Sequence, residues 1–204
     1  TYRGTSYNQG YSNYSGKIVI PETVRYSGKT YSVTSIGSGA FSYSGLTSVT
    51  IPNSVTSISA FEGCSGLTEI KVANGNSVYD SRNDCNAIIE TSTNTLIVGC
   101  KNTIIPNSVT SIGGGAFFSC SGLTSVTIPN SVTSIGSHAF SDCSGLTSIV
   151  VTGNNSKYDS RENCNAIIET QSNKLLLGCK NTTIPNSVTS IGEYAFSDCS
   201  SLKS

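Results

Sequence analysis

Few residues in this chain are equipped for chemistry, and their spacing decides what they can do. The candidates are eight cysteines, one histidine (His138), and two nearly identical polar loops, "YDSRND" (79–84) and "YDSREN" (158–163). Nucleophilic catalysis needs a nucleophile and a base held together and oriented by a third group. No motif fixes such partners around His138. It precedes an Ala-Phe pair where other copies of the same phrase carry Gly39, Gly115 and Tyr194, so it reads as an exposed, variable position. A zinc site would need Cys or His at short, regular spacings, but no Cys-x-x-Cys occurs and His is single. The segments "GSGAF" and "GGGAF" are Gly-rich but lack the lysine and the strand–loop–helix setting of a phosphate loop. Asp80, Asn83 and Asp84, with Asp159, Glu162 and Asn163 in the twin loop, offer oxygen donors of the kind calcium takes. The preferred reading is a solvated turn capped by Asp, in which Arg82 or Arg161 pairs with an acid. No catalytic residue, metal site or cofactor is assigned.

The elements that carry these residues are repeated. "IPNSVTSIG" occurs at 105–113, 128–136 and 184–192, with the near copy "IPNSVTSIS" at 51–59. Units aligned on leucine start at Leu46, Leu67, Leu123, Leu146 and Leu202. The steps are 21, 56, 23 and 56 residues, which gives a basic unit of 23, one copy trimmed by two and two copies enlarged by 33. In "LTSVTIPNSVTSIGSHAFSDCSG" (123–145), Val126 and Ile128 have strand spacing. Pro129 ends the strand because it has no N–H to donate, and Asn130 and Ser131 form a turn. "VTSI" is a second short extended piece, and "AFSDC" reads as a helical or 3₁₀ turn. One such unit cannot bury its Leu, Val, Ile and Phe alone; stacking unit on unit does so, at about 1.5–3 kcal/mol per buried side chain.

This unit resembles the BspA-like leucine-rich repeat of bacterial surface proteins, with the pattern Leu-x-x-Ile-x-Ile-Pro-x-x-Val-x-x-Ile-x-x-x-Ala-Phe-x-x-Cys. The resemblance runs from Ile18 to Leu202. It departs at Tyr43, which replaces the repeat cysteine, and in the trimmed unit at 57–64. It implies a bacterial cell-surface or secreted protein of host-associated species. It also implies partners among host matrix proteins such as fibronectin and fibrinogen, cell-surface proteins or glycans, with coaggregation and host innate recognition as related roles.

The expected fold is therefore a β-rich α/β repeat solenoid: a right-handed leucine-rich-repeat stack of 23-residue units over 18–204. A Tyr-, Ser-, Asn- and Gly-rich arm (1–17) precedes it, carrying Tyr2, Tyr7, Tyr11 and Tyr14. The turn signal "YSGK" between two alternating segments predicts a β-hairpin that caps the first rung. Two near-twin inserts, 79–103 and 158–182, each read as strand, polar turn, strand. Pairing Glu90 with Thr95 sets Ile89 against Leu96, Ile88 against Ile97 and Cys85 against Cys100; the same register sets Cys164 against Cys179. Opposed residues lie about 4.5–5.5 Å apart at Cβ, close enough to adjust into a disulfide. For these two pairs both a disulfide and a reduced, packed pair stay open. Cys64, Cys120, Cys143 and Cys199 share one repeat position and read as small buried apolar residues.

The candidate ligand-binding face lies on the strands. Residues flanking the central apolar one point away from the core: Ser48 and Thr50, Glu69 and Lys71, Ser125 and Thr127, Ser148 and Val150. Stacked rungs would align them into one continuous face, the usual binding surface of a solenoid. The Tyr-rich arm is a second candidate surface. Composition narrows the partners. With 12 basic and 12 acidic residues the net charge is zero, which argues against a nucleic-acid footprint or electrostatic membrane attachment. No apolar run approaches a transmembrane span. The absence of Met and of a leader at Thr1, and the ending "CSSLKS" at the start of a new unit, predict a piece of a longer protein. A structural spacer presenting another domain is the alternative to adhesion.

Overall fold

The computed structural model describes residues 14–197 and Cys199; Tyr2, Tyr7 and Tyr11 of the arm and Leu202 lie outside these residues. Tyr14 already belongs to the folded body, its ring edge-on to Phe41 with centroids 5.1 Å apart. Strand β1 (Ser15–Val19) follows at once.

The repeats place longer strands on one side of the stack and two-residue strands on the other; the repeats that follow the inserts have only the two-residue strand. The longer strands are β5 (Gly45–Ile51), β7 (Glu69–Val72), β12 (Ser125–Ile128) and β14 (Ser148–Val151); the two-residue Ser-Ile strands are β4 (35–36), β6 (57–58), β11 (111–112), β13 (134–135) and β18 (190–191). Pairing between repeats is parallel and joins equivalent residues, such as Val126 with Ile149 and Ile112 with Ile135. Between the two sides the apolar residues form three successive core clusters: Leu46, Leu67, Val49 and Ile70 are buried in the first, and Leu123, Leu146, Val126 and Ile149 in the second. The "PNSV" phrase is a closed turn in four copies, the Val N–H donating to the Pro carbonyl at 3.0–3.3 Å. Identical residues recur because identical turns must stack.

The expected helical turn at "AFSDC" is not helix. It is a run of hydrogen-bonded turns, for example Ala139 N–H to Gly136 C=O and Cys143 N–H to Phe140 C=O. Among the described residues the only helical pieces are two 3₁₀ turns, Arg82–Asp84 and Arg161–Asn163. The reason is local: positive φ recurs within this phrase, at Gly39, Gly115, His138 and Tyr194 and again at Tyr43, Gly63, Ser119 and Asp142. Left-handed residues interrupt an α-helix.

The hairpin is where "YSGK" places it: β2 (Thr23–Tyr26) pairs antiparallel with β3 (Lys29–Ser32). Ser27 and Gly28 both have positive φ, the turn that suits a two-residue hairpin loop. It does not cap the first rung, however. All eight of its strand residues are exposed, so it projects from the stack, and Tyr14, Ile18 and Val33 pack against the first core cluster instead.

Each insert enters the stack on the two-residue-strand side. β8 (Tyr79–Asp80), β9 (Ile88–Glu90) and β10 (Thr95–Val98) form an antiparallel meander, and β10 then pairs parallel with β11. β15 (Tyr158–Asp159), β16 (Ala166–Glu169) and β17 (Lys174–Gly178) repeat this beside β18. Glu90 faces Thr95 and Ile89 faces Leu96, as the spacing predicts. Ile88, however, faces Val98, because a β-bulge at Ile97 shifts the register; the twin has the same irregularity between Ile167 and Ile168. A one-residue slip moves side chains to the other face. Cys85 and Cys100 are therefore not opposed. Cys100 Sγ sits 3.3 Å from the Asn86 carbonyl and packs toward the preceding repeats, whereas Cys85 packs toward the following ones. Cys164 and Cys179 divide in the same way. All four are free, buried thiols in this structure.

Burial pushes the Cys85 thiol up to about 11 and the Cys120 and Cys143 thiols up to about 12. Thiolate is the reactive form. An aromatic disulfide reagent at neutral pH should therefore leave the seven buried cysteines of the folded chain untouched, and all eight cysteines should react without prior reduction once the chain is unfolded. Six or fewer reactive thiols in the unfolded chain would show that an insert pair is oxidised.

Candidate functional site

The strand face is built by parallel pairing, which sets Ser48 beside Glu69 and Thr50 beside Lys71, and likewise Ser125 beside Ser148 and Thr127 beside Val150. The eight predicted residues lie on two separate sheets. β1, β5 and β7 make one sheet and β12 and β14 another, with no strand pairing between them. The first insert separates the two. Asn102 and Ile104 stand before Pro106 as Ser125 and Thr127 stand before Pro129, but they form no strand; Ile104 N–H donates to the Cys85 carbonyl and its side chain is 75% exposed.

The two patches differ in chemistry. In the first, Ser48 is buried and its hydroxyl donates to Glu69 Oε2 at 3.0 Å, while Glu69 Oε1 lies 3.0 Å from Lys71 Nζ. Hydrogen bonding to Lys71, then to Ser48, holds the Glu69 carboxyl below its usual range, and the same contact holds Lys71 above its own. This patch is internally neutralised, and Ser48 has little surface to offer. The second patch has no charge: Ser125, Thr127 and Val150 are exposed and Ser148 half-buried.

The polar loops settle as structural clamps. Arg82 Nε donates to both Asp80 oxygens at 2.8 and 3.0 Å, and its Nη1 donates to Asn94 Oδ1 and Ser108 Oγ. Arg161 repeats the pattern with Asp159, Asn173 and Ser187. Each clamp ties an insert to the repeat after it. Burial works against the Asp159 charge, but Arg161 outweighs it and keeps the carboxyl below its usual value. Among the described residues no group of His, Cys, Asp and Glu could hold a metal ion, and no helix is long and apolar enough to cross a membrane.

A cleft of about 650 Å³ opens between the trimmed repeat and the repeat after the first insert. Its origin is legible in the chain. Every other Ala-Phe turn has three residues between Ile and Ala; here only Ser59 separates Ile58 from Ala60. Gly114 and Gly115 bring no side chains to fill the space. Glu62, Glu90, Ile97, Val98 and His138 line the opening. His138 is exposed, as the sequence predicts, with its ring tilted against Tyr194 at 5.3 Å. No motif marked Glu62 or Glu90; the two-residue trim was the available signal.

Stacked parallel rungs with a leucine ladder define a leucine-rich-repeat solenoid. The chain belongs to the BspA-type leucine-rich repeat family, whose repeat region it matches in six copies over residues 22–95, 88–176 and 166–204. It is similar in structure to a leucine-rich cell surface protein from Faecalibacterium prausnitzii A2-165, with 24% identity and a TM-score of 0.48, covering 92% of this chain and 62% of that one. It is also similar to the pneumococcal vaccine antigen PcpA (19% identity, TM-score 0.46, covering 90% and 52%) and to a leucine-rich repeat protein of T. pallidum (24%, 0.43, covering 92% and 78%). The chain thus spans less than two thirds of the length of the F. prausnitzii protein. No curated protein matches it.

Proposed function

We propose that this chain is a non-catalytic binding module of a cell-surface or secreted bacterial protein, adhering to a host matrix or cell-surface protein or to a glycan through its strand face. The observation that carries the reading is the second patch, where Ser125, Thr127 and Val150 stand exposed in register on paired strands with no charged partner of their own. A preorganised surface of hydroxyls beside an apolar side chain loses little entropy on binding. The neutral character of the chain favours a partner recognised through hydrogen bonds and apolar contact rather than through steering by charge. Membership of the repeat family, and the naming of the F. prausnitzii relative as a cell surface protein, support the location.

The test is binding to immobilised fibronectin, fibrinogen, mucin and a glycan panel. Replacing Ser125, Thr127 and Val150 by lysine should reduce saturable binding at least tenfold, while Glu69→Gln with Lys71→Gln should change it little. If the wild type binds and both variants bind equally well, the strand face is not the site. If the wild type binds nothing, the alternative of a spacer that presents another domain replaces this reading.

A further inference from the structure

The two inserts are near twins, and one difference between them points to a ligand. In the second insert Glu169, opposite Tyr158, receives a hydrogen bond from Ser172 and forms an ion pair with Lys157 at 3.0 Å. In the first insert Glu90, opposite Tyr79, receives the matching hydrogen bond from Thr93 at 2.6 Å. The residue at the place of Lys157 is Val78. Glu90 therefore keeps the acceptor geometry of its twin without the ammonium group, and it does so on the wall of the cleft. The exposed carboxylate of Glu62 lines the same opening, no Lys or Arg lines it, and Ile97 and Val98 supply apolar surface beside the acids.

The surroundings of the two glutamates differ again. Beside the second insert, His138 and Tyr194 meet ring against ring. Beside the first, the position of Tyr194 is Gly115 and the trimmed turn has no counterpart of His138. One glutamate is supplied with its own lysine, and the other lines an open cleft and lacks it.

We infer that the cleft between Glu62 and Glu90 receives a lysine side chain from a partner protein, which takes the place Lys157 occupies in the twin site. The lysine stem lies along Ile97 and Val98 and its ammonium meets the Glu90 carboxylate, with Glu62 on the same cleft adding negative charge, the usual division of an amphipathic side chain. None of the lining residues belongs to the strand face, so the inference stands apart from the adhesion reading.

His138 is the chain's single histidine and lines the cleft, so its imidazole signals in a carbon–proton correlation spectrum report occupancy directly. The probe is the peptide Gly-Gly-Lys-Gly-Gly, compared with the same peptide acetylated at the lysine amine and with butylamine. The unmodified peptide should shift the His138 signals saturably; acetylation should weaken binding at least tenfold. Glu90→Gln should weaken it at least tenfold, and Val78→Lys, which supplies the ammonium from within as in the twin, should do the same. Val78→Lys decides the matter if Glu90→Gln fails to fold. An unmoved His138 signal, equal binding of the acetylated peptide, or undiminished binding in Val78→Lys would overturn the inference. Butylamine binding more tightly than the peptide would overturn the assignment to a protein partner and leave a free amine.

Discussion

Phe117→Ala is expected to destabilise the protein by about 4 kcal/mol, the range for removing a buried aromatic ring from a packed core. Phe117 is 1% exposed and stacks on Phe140 with ring centroids 4.9 Å apart. Its other neighbour makes the experiment specific. A methyl group on Gly99 would lie 2.1 Å from Phe117 Cε1, inside any tolerable contact, so Gly99→Ala alone should cost about 2 kcal/mol through overpacking. In the double variant the methyl group enters the space the ring has left. The two losses should fall short of additivity by about 1–3 kcal/mol, as for residues that share one cavity. Urea unfolding of the four proteins checks this through the midpoints at constant m-value. Strict additivity would mean that Gly99 is not held small by the ring. The pair Gly178 and Phe196 repeats the contact, at 2.2 Å.

Asn76→Ala should cost about 3 kcal/mol although it deletes no apolar contact of note. The side-chain amide of Asn76 donates to the carbonyls of Pro52 and Val55, both at 2.9 Å, and its oxygen accepts from the backbone of Val78 and Tyr79, both at 2.9 Å. One side chain thus closes the turn that opens the first insert and fastens it to the "PNSV" turn of the repeat before it. A typical hydrogen bond contributes about 1 kcal/mol net, and a partner left unsatisfied costs more; half-burial lets water recover part of the loss. Asn155 makes the same four bonds to Pro129, Val132, Lys157 and Tyr158, so Asn155→Ala should match. Asn76→Asp keeps the acceptor and loses both donations, which sets a carboxylate against two carbonyl oxygens, and it should be no better than alanine. A loss below about 1 kcal/mol in the alanine variant would show that the insert is anchored by other means.

Much of this was legible in the chain. The repeat phrase, its strand at Val126 and Ile128, the stop at Pro129 and the Ser27–Gly28 hairpin turn all depend on local stereochemistry and on spacing, and both are written residue by residue. The pairing of Arg82 and Arg161 with acids of their own loops was also visible, since the partners lie two residues apart. The family likewise follows from residue types at fixed offsets.

The departures arise where one element meets another. The bulge at Ile97 lies where β10 meets both β9 and β11, and its register shift takes Cys100 out of opposition to Cys85. The hairpin of β2 and β3 has an alternating pattern that suits a cap, yet nothing in its own sequence could reveal that the first rung is covered from elsewhere. The strand face follows from side-chain alternation, but its division into two patches depends on where the first insert lies between β7 and β12. The cleft with Glu62 and Glu90 is the clearest case. Its cause, a turn short by two residues, is plain in the sequence. Its walls come from segments that only stacking brings together, because in a solenoid a residue's neighbours belong to the repeats on either side rather than to its own.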